Sequence, residues 1–153
     1  MSEVTRIVDQ MQRAFSGEAW HGPALRELLL KISAQQAVAL PFPNVHSIWE
    51  IVLHVAGWKG VVLRRLRGEA VDPPPEQDWP AAGIAEEARW AGVKEALLQA
   101  HQDLVEAVSQ CPESRLAELV PGQQTSIYAM LHGAIQHDLY HAGQIAILHR
   151  AQI

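Results

Sequence analysis

Three histidines are the residues whose spacing could do chemistry: His137 and His141 in "HDLYHAGQI", and a lone His54 in "IVLHVAGW". His-x3-His on a helix puts two imidazoles one turn apart on one face, each able to turn a ring nitrogen to a common point. A third imidazole from a facing helix would convert a chelating pair into a site that holds an ion firmly. Three neutral protein ligands leave coordination positions for water or substrate, so such a site could activate water for hydrolysis or a thiolate for transfer. Either reaction needs a base or a positioning group nearby, and three residues are candidates. Gln144 lies one turn beyond His141 and could bond a water or substrate, or simply a neighbouring polar group. Asp138 adjoins His137, but successive helical residues point about 100° apart, which makes it an outer or interhelical partner rather than a ligand. His21, in "EAWHGP", could line one end of the fold or merely occupy a turn.

A bland reading competes with the metal. A single histidine in an apolar stripe is more often a hydrogen-bonded core residue than a ligand, and the chain has eight histidines from which a His-x3-His pair can arise by chance. On spacing and stripe position alone the two readings stand level. Against the bland one, each unpaired imidazole in a dry core costs roughly a few kcal/mol, and a shared ion would remove that cost three times over.

These side chains must be positioned by long helices. Ile127, Met130, Ala134, His137, His141, Gln144 and Leu148 form one stripe of three- and four-residue steps, polar in its middle and apolar at both ends. Ile51, His54, Trp58 and Val61 form the matching face of a helix expected from about residue 48 to Gly68, opened by a Ser47–Glu50 capping box. A first helix carries Val4, Ile7, Val8, Met11 and Phe15 and closes at Gly17; Gly22-Pro23 then restarts a helix with proline at its first position and Leu25, Leu28, Leu29 and Ile32 buried. Another buries Trp90, Val93, Leu97, Ala100, Leu104 and Val108 and ends near Pro112; the last starts at a Ser126 cap. Residues 68–83, with three consecutive prolines, are expected to be an irregular, stiff strap. No strand pattern competes, so the chain reads as an all-α four-helix bundle forming a single domain over 1–153. His46, His101 and His149 read as surface residues, His132 as lying off the His137/His141 face, and Trp58 and Trp20 as core or pocket walls.

Composition narrows the function. With 153 residues, 48% hydrophobic and 19% charged, the chain can bury an ordinary globular core. A net charge of −5 argues against a nucleic acid or an anionic membrane as the main partner, and the run Lys59, Arg64, Arg65, Arg67 reads as a solvated helix end. The lone Cys111 excludes an internal disulfide and cysteine-based zinc motifs. A charged, amphipathic N-terminus and the lack of any apolar run near ~20 residues give the expectation of a cytoplasmic protein.

The segments "VHSIWEIVLHVAGWKGVVLRRLRGE" (45–69) and "SIYAMLHGAIQHDLYHAGQIAIL" (126–148), together with "AFSGEAWHGPAL" and the proline-rich connection, resemble the DinB/YfiT-like superfamily. The resemblance implies a four-helix bundle in up-down-down-up order, with its long crossover at about 68–83. It also implies a three-histidine metal site at His54, His137 and His141, holding nickel or zinc with waters completing the shell. The implied activities are hydrolysis or S-transfer with a low-molecular-weight thiol such as bacillithiol or mycothiol, on a small-molecule substrate, in a homodimer. A non-catalytic metal-binding or stress-associated interaction module is the alternative.

Overall fold

The computed structural model describes residues 1–153. Its helices are α1 (Glu3–Phe15), α2 (Leu25–Leu29), α3 (Ala34–Val38), α4 (Ile48–Leu66), α5 (Pro75–Asp78), α6 (Glu87–Ser109) and α7 (Ile127–Arg150), with a 3-10 turn at Glu113–Ala117 before α7. Serine caps open the two helices that carry the histidines. Ser47 Oγ accepts the Glu50 amide at 3.2 Å while Glu50 Oε2 accepts the Ser47 amide at 2.8 Å. Ser126 Oγ accepts the Ala129 amide at 3.2 Å. These bonds satisfy donors that a helix start otherwise leaves without partners. Past the end of α4, Gly68 takes a positive φ of 94°, a conformation that favours glycine and turns the chain out of the helix.

The four long helices form a ring in which α1 packs on α6 and α7, and α4 packs on α6 and α7. Two apolar clusters fix their directions. One gathers Phe15 from the end of α1, Ile48, Trp49, Val52 and Val55 from the start of α4, Trp90 and Leu97 from the start of α6, and Ile145 and Leu148 from the end of α7. The other gathers Val4 and Ile7, Val62 and Leu66, Leu104 and Val108, and Ile127 and Leu131, from the opposite ends of the same helices. Thus α4 and α6 run one way, and α1 and α7 the other. The order is up-down-down-up, and residues 67–86 must climb the length of the bundle between parallel α4 and α6. Gly83 ends that climb against Trp49, where a Cβ would sit 3.1 Å from the indole.

Two expectations about local structure change. The strap is not wholly irregular: Pro75–Asp78 form one helical turn, with proline where a missing N–H does no harm. Pro23 does not open a helix; α2 begins at Leu25 and is only five residues long. Between α2 and α4 the chain instead spends a second short helix, α3, opened by a Ser33–Gln36 capping box.

The gap between the clusters is the informative layer. Halfway along the bundle the apolar series gives way to Lys59 on α4, His101 on α6 and Asp138 on α7, all buried. His54 and His141 are buried about one helical turn further toward the first cluster.

Candidate metal centre

The structure brings His54, His137 and His141 together, with one ring nitrogen of each lying within 4.8 Å of the others. His137 Nε2 sits 3.0 Å from His54 Nε2 and 3.1 Å from His141 Nε2. The remaining nitrogens explain why those three converge. His54 Nδ1 donates to the backbone carbonyl of Asp78 at 2.7 Å, and His141 Nδ1 donates to Gln144 Oε1 at 2.6 Å. A neutral imidazole has one N–H, so both rings present a bare Nε2 lone pair to the third. His137 can donate to one of them at most. At least one of these two short N···N contacts therefore has no proton between its nitrogens, unless a cation lies among them.

The spacing suits such a cation. Two nitrogens each bound at about 2.0–2.1 Å, at angles between square and tetrahedral, lie roughly 2.9–3.4 Å apart. The protonation states suit it too, because a ligand imidazole must be neutral. Burial, with the neighbouring His141, His54 and Lys59 adding to it against Asp78, pushes His137 down to about 3. Burial likewise lowers His141, with the Gln144 hydrogen bond opposing.

Around the cluster the strap does most of the enclosing. Trp79 stacks on the His54 ring at 3.9 Å between centroids and on His46 at 3.6 Å, nearly parallel to both. Asp78 Oδ1 accepts the Trp58 indole N–H at 2.6 Å and lies 3.1 Å from His54 Nδ1. Asp78 thus holds His54 by its carbonyl and Trp58 by its carboxylate. A cavity of about 280 Å3 between α4 and α7 borders the cluster at His137 and is lined by Trp58 and Met130 among others, and a second, of about 410 Å3, borders it at His141 and Gln144.

The remaining candidates fall as follows. Gln144 bonds His141 and so orients a histidine. Asp138 is interhelical: both its oxygens accept from Lys59 Nζ, at 2.8 and 2.6 Å, with both side chains almost fully buried. Burial holds the Asp138 carboxyl above the usual range, with Lys59 opposing. His21 is exposed and lines none of the cavities beside the cluster. Trp20 is fully exposed and walls nothing, whereas Trp58 does line the cavity.

Two sequence assignments need correction. His101 is not a surface residue; it is 1% exposed and stacks on Phe15 at 3.9 Å. Leu97, His101, Leu104 and Val108 continue one seam, and reading Ala100 as its member slipped the phase by one residue. Lys59 is not part of a solvated helix end; it is 4% exposed. Its signal was present, because Ile48, Val52, Val55, Lys59, Val62 and Leu66 form a stripe of three- and four-residue steps. The strap residues Asp78 and Trp79 carry no such periodic signal.

No helix is long and apolar enough to cross a membrane. A family model described as the DinB superfamily matches residues 19–145. No curated protein matches the chain in sequence. Among solved structures, the crystal structure of a conserved protein from Enterococcus faecalis is similar with a TM-score of 0.73 and 17% identity. That match covers 99% of this chain and 97% of the other, and at such identity it speaks to the fold alone.

Proposed function

Because the chain belongs to the DinB superfamily, we propose that it is a metal-dependent enzyme holding one divalent ion on His54, His137 and His141. The observation that carries this reading is a pair of hydrogen bonds: the Asp78 carbonyl and Gln144 Oε1 accept from the Nδ1 atoms of His54 and His141, so the Nε2 lone pairs of those rings converge on the third. Imidazole donors suit zinc or nickel. A bound ion of this kind supplies Lewis acidity, making a water or thiol that meets it more acidic.

The chain's own residues supply orientation and enclosure. Asp78 and Gln144 fix two ring planes and raise the donor strength of their imidazoles. Trp79 shields one face of His54 from water. The half-buried His137 lines the cavity and marks the side from which a small-molecule substrate arrives. With no carboxylate or cysteine in the cluster, the three ligands are neutral and the ion keeps its full charge for the reacting group. Hydrolysis and S-transfer from a low-molecular-weight thiol both use that charge. In the same reading two chains pair, a role for which Leu139, Tyr140 and Ile147 stand exposed on α7.

Metal analysis tests the proposal. Purified protein is expected to carry about one zinc or nickel per chain, and His54→Ala and His141→Ala are each expected to lose it. Stoichiometric metal in either variant would refute the triad. Hydrolytic and thiol-transfer substrate panels with metal-loaded protein then separate the two chemistries, and inactivity in both with full metal would favour a non-catalytic ion.

A further inference from the structure

The cavity beside His137 has a chemical character of its own. Its walls are largely apolar, with Trp58 and Val62 from α4 and Met130 and Ala134 from α7. Two cationic side chains line it, and they are not equivalent. Lys59 is matched by Asp138, which takes two of its protons in a buried pair. Arg65 is only loosely engaged. Its Nε donates to the Val71 carbonyl at 2.9 Å, and Nη2 lies 3.2 Å from Asp72 Oδ1, a carboxylate that is 84% exposed. A guanidinium has five N–H donors, and these bonds use two. Arg65 is itself largely withdrawn from water, at 12% exposure, with its guanidinium 5.7 Å from the Trp58 ring centroid. Lys59 is cancelled by Asp138, so Arg65 is the cation of the lining that no carboxylate of the lining matches.

The Arg65 guanidinium lies 5.7 Å from the Trp58 ring centroid, and that ring lies 6.4 Å from the His137 ring, so Trp58 spans the interval between the charge and the imidazole. Between the ends, Gly133 leaves a gap in the α7 wall, where a Cβ would meet nothing within 4 Å. Gln123 and Thr125 also line the cavity, and neither side chain has a hydrogen-bond partner within the protein.

We propose that this cavity is the substrate pocket of the histidine site and that it takes a small organic acid with an apolar chain. The acid group replaces Asp72 on Arg65, the chain lies along Val62, Met130 and Gly133, and the far end reaches His137. The proposal rests on reading the histidine cluster as the reactive centre, since it assigns the partner of that same site.

Octanoate, 1-octanol and octylamine are suitable probes, titrated into the purified protein by calorimetry with Trp fluorescence as a second readout. Octanoate is expected to bind at least about tenfold tighter than octanol, the worth of a charge-assisted bond in a partly dry site, with octylamine weakest. Arg65→Gln should erase the preference for the acid, and Arg65→Lys should keep most of it. Gly133→Phe should block octanoate and octanol alike by filling the groove, while circular dichroism stays unchanged. Equal binding of acid and alcohol, a preference that survives in Arg65→Gln, or full binding to a folded Gly133→Phe variant would each overturn the pocket. Metal content, read on the same samples, keeps the two readings apart. Metal-free protein that shows the Arg65-dependent preference would defeat the metal reading and not the pocket; metal-loaded protein without the preference would defeat the pocket alone.

Discussion

Gln144 Oε1 lies 2.6 Å from Nδ1 of His141, one helical turn before it on the same face of α7. An amide oxygen here accepts and never donates, so it selects the tautomer that frees Nε2. Replacing Gln144 with Leu should lower zinc affinity about 10- to 100-fold without unfolding the protein, as loss of such outer partners does elsewhere. Gln144→Glu keeps an acceptor and should retain affinity. Competition with a chelator of known strength measures both, and equal affinities for Leu and Gln would show that His141 needs no orientation.

The strap is expected to matter through Asp78. Its carboxylate holds Trp58, and its backbone carbonyl holds His54, so removing the side chain frees the turn that carries the carbonyl. Asp78→Ala and Trp58→Phe should each weaken metal binding several-fold, and the double variant should be little worse than either, because both break one bond. Asp78→Asn keeps an acceptor for the indole and should behave like the parent. Additive losses in the double variant would mean that the two residues act separately.

Lys59 and Asp138 tie α4 to α7 between the two apolar clusters. Lys59→Met strands a buried carboxylate and should cost about 3–5 kcal/mol in denaturant unfolding. Combining it with Asp138→Leu removes both charges and should recover most of that loss, since paired removal is often neutral. The double variant also asks whether the pair serves the histidines: unchanged metal affinity in a stable double variant would limit it to packing.

How far the sequence carried is best seen in the histidines themselves. His54, His137 and His141 were legible because they interrupt apolar stripes at helical spacing, and a stripe must face a core. The same rule applied one residue off hid His101, whose seam runs Leu97, His101, Leu104. Lys59 was read with the arginines that follow it, although its position among Val52, Val55 and Val62 places it inside. Crossover order came from resemblance, with which the length of residues 68–83 agreed. The placement of Asp78 and Trp79 over His54 was not legible at all, because a non-repeating strap is located by the ends it joins and by what it meets on the way.

His101 gives the clearest pH dependence. It stacks on Phe15 of α1, and Lys59 of α4, itself paired with Asp138 of α7, is the charged group that bears on it. Its Nε2 lies 3.4 Å from the uncharged Gln12, and its Nδ1 has no partner. Burial first, and then the Lys59 charge, lower it from 6.5 to about 3. The unfolded chain takes up this proton below about pH 6.5 while the folded chain does not, so stability falls as the pH drops and stops falling near pH 3. The loss attributable to His101 should reach about 2 kcal/mol at pH 5. His101→Phe keeps a flat ring against Phe15 and cannot titrate. Denaturant unfolding of parent and variant at pH 7 and pH 5, both at the same free zinc, isolates the effect, because metal loss is common to both. The stability gap should shift in favour of the variant by about 2 kcal/mol on acidification. If the two proteins lose stability in parallel, His101 takes up a proton without unfolding, and the middle layer of the bundle admits charge more easily than its burial implies.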